Sequence, residues 1–346
     1  MAYTNLLLSQ RLNSLTNDEE ERRHKKIYDD ITQKVSTLPR MNSCVVREFY
    51  VHKDGWCMSL PVMVGSMVAQ QHFKARPSDL ILASYPKSGT TWLKALLFAT
   101  VHRKSNTNPN TPHPLEALSP HQCVPFLESQ VYTNNQIPNL DSLPSPRLFA
   151  THIPFCSLPE SILASNSKII YICREPKDNL ISLWHFTRQL RVKANLEPCP
   201  LEEAIEFFCN GVSLFGSLWD HVLGYWNKHL ERPDQVLFLT YEGLSQDPRG
   251  HLKRLAEFIG HPFSADEEKG GGVLDAILKL CGIENLRSLE VNRCGKMEMA
   301  EWPVENGIFF RRGGMNDWVN HLTPEMARRI DDITDSKFRA YGLTFL

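Results

Sequence analysis

The chain has 346 residues, a formal net charge of −1 at pH 7, 42% apolar residues and 22% charged ones. That length accommodates one large α/β unit with a substantial core. No basic excess marks it for nucleic acid or an anionic membrane, so a small-molecule partner is expected.

Residues 1–40 read as a polar arm ahead of a domain spanning 41–346. Within the arm, Leu6-Leu7-Leu8 is too short for a signal-peptide core and is soon followed by Asp18-Glu19-Glu20-Glu21-Arg22-Arg23. No stretch approaches the ~18 consecutive apolar residues of a membrane span. The nine cysteines are scattered, odd in number and without Cys-x-x-Cys spacing, which points to a reducing compartment and no metal cluster. A soluble, cytoplasmic chain is expected, with no obligate protein partner evident. Short apolar runs at 80–85, 147–152, 168–174 and 236–241 read as strands. In the third, Cys173 is expected to pack as a small hydrophobe. Helical patterns cover 91–101, 178–190, 201–230, 251–259, 272–280 and 324–341. Strands alternating with helices predict an α/β fold, a parallel sheet flanked by helices. Ligands of such sheets bind beyond the carboxyl ends of the strands, where Lys87, His152, Arg174 and Tyr241 all fall. Two irregular loops, 104–125 and 133–146, are candidates for lining a pocket. Segment 295–317 also reads as irregular.

The most informative stretch is Tyr85-Pro86-Lys87-Ser88-Gly89-Thr90-Thr91-Trp92. A buried strand that turns sharply into a helix aims the helix's unpaired N–H groups at the mouth of the turn, an anion seat. Gly89 permits close approach, Thr90 and Thr91 add hydroxyls, and Lys87 adds charge. It is not a Walker A loop, because Lys87 precedes the only glycine and Ser84 stands where the first glycine belongs. An ordinary strand–helix connection with a surface lysine is the plainer alternative.

His152 sits at a strand exit, since Pro154 disfavours helix there. Its near-neutral pKa suits it to take a proton from an attacking hydroxyl. Arg174 and Ser182 could hold one phosphate through a guanidinium fork and a hydroxyl. Arg311 and Arg312, beside Gly313, could clamp another face of such a group, or simply be solvated.

Taken together, these motifs resemble the cytosolic sulfotransferases of plant type, the flavonol, hydroxyjasmonate and brassinosteroid enzymes, over nearly the whole chain after about Phe73. The 85–92 string is similar to that family's 5′-phosphosulfate loop, and Thr151-His152-Ile153-Pro154 to the motif carrying its general base. The resemblance implies a single-domain, P-loop-like sulfotransferase fold with 3′-phosphoadenosine 5′-phosphosulfate as co-substrate and no metal. It implies that Lys87, Ser88, Gly89, Thr90, Thr91 and Trp92 hold the donor, with Trp92 and Tyr241 near the adenine. Arg174, Ser182, Arg311, Arg312 and Gly313 would serve the 3′-phosphate. His152 would be the base, Lys87 would stabilise the leaving group, and Ser182 would restrain Lys87 until the acceptor arrives. The chain departs from the family pattern at Arg312, Asn316, Val319, Gly282 and Ile283. Ala150, the segment from His221 to Trp226, and Glu290-Val291-Asn292 are plant-like marks.

The acceptor is expected to be a small, largely apolar molecule with a hydroxyl, such as a flavonoid, steroid or hydroxylated hormone. Trp56, Phe126, Tyr132, Phe155, His185 and Phe186 are candidates for its pocket. Two rival readings are a catalytically weak or inactive nucleotide- or small-molecule-binding member of the same fold and a P-loop kinase. The position of Lys87 and the missing Mg²⁺-holding motif weigh against the kinase.

Overall fold

Apolar side chains at successive positions suit strands covered on both faces. The computed structural model, which describes residues 18–45, 48–104, 112–300 and 303–345, gathers the four apolar runs into one parallel sheet. In chain order the strands are β1 (Arg40–Asn42), β2 (Glu48–Val51), β3 (Cys57–Met58), β4 (Leu80–Ser84) and β5 (Leu148–Thr151). They continue with β6 (Lys168–Cys173), β7 (Val236–Thr240), β8 (Lys296–Met297) and β9 (Val304–Glu305). The central sheet runs β5-β4-β6-β7, with Leu80 opposite both Leu148 and Lys168, and Ile169 opposite Val236. Alternate residues feed two cores. Ile81, Ala83, Phe149, Ile169, Tyr171 and Phe238 face one. Leu80, Leu82, Leu148, Ala150, Ile170, Ile172, Leu237 and Leu239 face the other.

Because β5 and β6 flank β4 on opposite sides, the strand order reverses at β4. A crevice opens there beyond the carboxyl ends, the usual ligand position in an open α/β sheet.

Several expectations need correcting. The helical reading of 201–230 is two helices, Leu201–Cys209 and Leu218–Glu231. Between them Gly211, Phe215 and Gly216 adopt positive φ, and a Cβ on Gly216 would lie 2.9 Å from Trp56 Cβ. The break lets the chain fold over Trp56. In the 104–125 loop, short helices Pro114–Ala117 and Pro120–Cys123 start at prolines. The 295–317 segment contains the β8–β9 pair and a 3₁₀ turn, Asn306–Phe309. Residues 1–17 of the arm, including Leu6-Leu7-Leu8, lie outside the described residues. Its remainder includes helix Asp18–Ser36, which buries His24, Tyr28, Ile31 and Val35 and packs on helix Leu60–His72. Cys173 is fully buried in β6. Cys44 and Cys199 form a disulfide with Cα atoms 5.6 Å apart, a pairing that the scattered cysteine spacing did not disclose.

Candidate active site

The turn after β4 is held open. Gly89, with φ +102°, caps helix Thr90–His102, and a Cβ there would fall 2.7 Å from Tyr241 Cδ2. Only glycine fits that left-handed, crowded position. Lys87 also has positive φ, +65°, an uncommon conformation for a residue with a long side chain. Buried Asn179 clamps the turn by donating to Pro86 O at 2.9 Å and Ser88 Oγ at 3.1 Å. Thr90 and Ser84 share a 2.7 Å hydroxyl contact. Lys87 Nζ lies 4.4 Å from the centroid of Phe186 and 5.6 Å from that of Phe309. Burial, then the charges of Arg174 and Arg311, push its pKa down to about 7.

His152 follows β5 and is fixed on three sides. Its Nδ1 stands 2.6 Å from Ser84 O. A carbonyl only accepts, so Nδ1 carries the hydrogen and Nε2 keeps its lone pair. Its backbone N–H donates to Glu128 Oε1 at 2.7 Å, and its carbonyl accepts from His221 Nε2 at 2.9 Å. His221 must then accept at Nδ1 from the Tyr171 hydroxyl, 2.9 Å away. Burial drives the His152 pKa down to about 3, so the ring is neutral across the physiological range. Glu128 also accepts from Thr151 Oγ1 at 3.0 Å, and burial lifts its pKa to about 7. It sits in a single π turn, Leu127–Val131, against Gly65 of helix Leu60–His72. A Cβ on Gly65 would strike Glu128 O at 2.1 Å. That close contact sets the depth of Glu128.

Across the crevice, Arg174 Nη2 donates to Gly314 O at 2.6 Å, and its guanidinium stacks 4.5 Å from the Tyr241 centroid. Arg174 Nε is buried with no protein partner among the described residues. Tyr241 donates to Gly313 O at 2.7 Å, and its ring meets Trp92 edge-on at 5.8 Å. Arg311 and Arg312 both pair with Asp317, at 2.6 and 2.5 Å. Asp178 tethers the same loop by accepting from Asn316 N and Trp318 N.

One cavity of about 420 Å³ joins these groups. Lys87, Gly89, Thr90, Thr91, Trp92, His152, Arg174, Ser182, Tyr241, Arg311, Arg312 and Gly313 all line it, as do Phe126 and Phe186. Ser88 does not; it is buried beneath, bonded to Asn179. The other four pocket candidates lie outside the wall. Trp56 donates to Ser157 Oγ and stacks behind Phe215. Tyr132 is buried, Phe155 packs edge-on against Tyr225, and His185 sits between Trp184 and His321. In their place the wall includes Val45, Phe49, Met58, Val62, Leu214 and Phe215. Four of these precede β4 by 18 residues or more and reach the cavity only through tertiary packing, so local pattern carried no signal for them.

The sulfotransferase domain family matches residues 77–342. A flavonol sulfotransferase-like protein of Flaveria bidentis is 48% identical over 312 residues, covering 89% of this chain and 98% of its own. Cytosolic sulfotransferase 15 of Arabidopsis thaliana is 42% identical, covering 91% of this chain and 87% of its own. The chain belongs to the sulfotransferase family. A crystal structure of a sulphotransferase from Arabidopsis thaliana, 35% identical, superposes with a TM-score of 0.70 over 97% of this chain and all of the other. A mouse sulfotransferase complexed with PAP is 26% identical, with a TM-score of 0.62 over 84% of this chain and 94% of the other.

This sulfotransferase uses 3′-phosphoadenosine 5′-phosphosulfate as its donor. The crevice fits a polyanionic nucleotide: Arg174 Nε has no protein partner among the described residues, Gly89 leaves no room for a Cβ, and Arg311 and Arg312 line the rim. Two of the departures from the family pattern, Asn316 and Ile283, have a local setting. Asn316 adopts φ +61°, a conformation asparagine tolerates in place of glycine. Ile283 lines the cavity and packs on Gly313, where a Cβ would come 2.8 Å from Ile283 Cγ1.

Proposed function

We propose that this sulfotransferase is a cytoplasmic enzyme that moves a sulfuryl group onto the hydroxyl of a flat or ring-bearing apolar acceptor, with His152 as general base. The observation that carries this reading is the tautomer of His152. Its Nδ1 hydrogen is committed to Ser84 O, leaving a neutral Nε2 lone pair in the cavity that Lys87 also lines. The acceptor hydroxyl gives its proton to Nε2 as its oxygen bonds to sulfur. The sulfur–oxygen bond to the 5′-phosphate breaks, and 3′-phosphoadenosine 5′-phosphate leaves with the electron pair. Lys87, Thr90, Thr91 and the first N–H groups of helix Thr90–His102 offset charge at the leaving oxygen. Arg174, Ser182, Arg311, Arg312 and Gly313 serve the 3′-phosphate, Trp92 and Tyr241 flank the adenine, and Ser182 restrains Lys87. Residues 41–346 make up the enzyme domain, to whose core helix Asp18–Ser36 of the arm adds Tyr28, Ile31 and Val35.

The acceptor side is supported by walls of Val45, Phe49, Met58, Val62, Leu214 and Phe215, apolar except near Ser59, Glu128 and Ser129. Such walls suit a ring system that ends in one reactive hydroxyl. The relatives named as flavonol sulfotransferases favour a flavonol within that class. The test is transfer of radiolabelled sulfate from the donor to a panel of flavonols, steroids and hydroxylated acids, with and without chelator. Chelator-insensitive sulfation of a ring-bearing hydroxyl is expected. Tight nucleotide binding without transfer to any member would favour the binding-protein reading instead.

A further inference from the structure

Beneath Thr91 of the donor loop lie two buried polar groups, Lys94 and His121, to which the reaction above gives no task. Thr91 and Lys94 are three residues apart on one face of helix Thr90–His102. His121, from helix Pro120–Cys123, fits between them: its Nδ1 is 3.1 Å from Lys94 Nζ and its Nε2 is 3.0 Å from Thr91 Oγ1. Lys94 is completely buried and His121 2% exposed. The imidazole is stacked on Phe126 at 5.5 Å and tilted against Phe309 at 4.2 Å. Lys94 Nζ lies 3.2 Å from the Phe126 centroid, and burial pushes its pKa well below the ordinary value against the pull of Glu128. Burying an amine this deeply is costly, and a merely structural contact would be served as well by an apolar side chain.

We propose that Lys94 and His121 are positioning residues that aim the Thr91 hydroxyl at the phosphosulfate end of the donor. The logic is the direction of the hydrogen bonds. Burial pushes the Lys94 pKa well below its ordinary value, yet ammonium and amine alike keep N–H groups; with one of these directed at Nδ1, His121 accepts there and carries its hydrogen on Nε2. That hydrogen goes to Thr91 Oγ1. A hydroxyl that accepts from below keeps its own hydrogen for the cavity, which Thr91 lines beside Lys87. Thr91 becomes a fixed donor, in place of a free rotor, where negative charge gathers as the sulfur–oxygen bond breaks. Burial keeps His121 well below its ordinary pKa and hence in a single neutral tautomer.

The inference rests on reading the 86–91 loop as the phosphosulfate cradle, and the experiment separates the two. Steady-state kcat and both KM values are measured for Thr91→Val, His121→Phe and the double variant, with Thr91→Ser and Lys94→Met alongside. Phenylalanine keeps a ring between Phe126 and Phe309 while removing both hydrogen bonds. Thr91→Val should lower kcat roughly 10²-fold, the scale of losing one donor at a reacting centre. His121→Phe and Lys94→Met should each lower it about tenfold, since the hydroxyl remains but is no longer aimed. Acceptor KM should not move. His121→Phe should add nothing in the Thr91→Val background, yet retain its full effect with Thr91→Ser. Multiplying losses in the Thr91→Val double variant would overturn the relay and leave the cradle standing. An unchanged or raised kcat in His121→Phe would also overturn it, meaning that Thr91 donates into His121. Thr91→Val with wild-type kcat and donor KM would overturn the cradle and the relay together. Should His121→Phe not fold, Lys94→Met carries the same cycle.

Discussion

The two ends of the central sheet are built on opposite terms. At the amino ends of the strands, Asp79 and Arg147 form a closed pair. Arg147 donates to both Asp79 oxygens, at 2.8 and 2.5 Å, and to the carbonyls of Lys74 and Leu140. Asp79 also accepts from Arg76 N at 2.8 Å. At the carboxyl ends, Arg174 Nε, Asn179 Oδ1 and Glu242 Oε2 are buried without hydrogen-bond partners among the described residues, against Gln235 Nε2 at the amino ends, and Lys87 sits in a strained backbone conformation with its charge disfavoured. A satisfied buried pair contributes to the fold. An unsatisfied cluster is held in place by the rest of the structure and awaits a ligand. One sheet thus separates stability from function by end.

That contrast can be broken by substitution. The largest effect is expected at His152→Ala, which should lose about 10²–10⁴-fold in kcat while product-nucleotide affinity stays near wild type by calorimetry. Asparagine should not rescue it, because an amide takes up no proton. Lys87→Ala should lose turnover and nucleotide affinity together, with the melting temperature unchanged or higher. At the other end, Asp79→Asn should cost roughly 3–5 kcal/mol in urea unfolding, because it leaves the buried Arg147 charge uncompensated, while kcat of the folded fraction is preserved. Smaller again, Arg174→Ala or Arg311→Ala should each weaken product-nucleotide binding by roughly 1.5–3 kcal/mol, the scale of a hydrogen bond to a charged group, leaving acceptor KM unmoved. A catalytic collapse in Asp79→Asn, or an unfolded Lys87→Ala, would erase the distinction between the ends.

The functional end was also the more legible in sequence. The strands of the central sheet are apolar through their interiors, with polar residues only at their ends, so their positions and the exits carrying Lys87, His152, Arg174 and Tyr241 could be read directly. Residues that act through tertiary contact left no such trace. Helix Leu60–His72 buries most of its surface, including Val62, Met63, Val64, Gly65, Ser66, Val68 and Ala69, and so lacks an amphipathic period. The dense charge at Asp18–Arg23 masked the His24, Tyr28, Ile31 and Val35 stripe of the first helix. Glu128 and His121 resemble ordinary polar loop residues until the π turn and helix Pro120–Cys123 carry them beneath the site. For the broken 201–230 helix a signal was present, since Asn210-Gly211 is a turn dipeptide and Gly216 a second breaker within an apolar run.

The open end holds Lys87 partly uncharged until an anion arrives. With its free pKa near 7, Lys87 is mostly neutral at pH 8, and a bound phosphate raises that pKa. Binding must then take up a proton, and affinity should fall as pH rises above 7, by up to about tenfold per unit. Calorimetry of 3′-phosphoadenosine 5′-phosphate binding at pH 8, in buffers of different ionisation enthalpy, reads this uptake directly. Uptake should approach one proton in the wild type and disappear in Lys87→Met. Nucleotide binding with no proton uptake in the wild type, or with the same uptake in both proteins, would contradict this reading of Lys87.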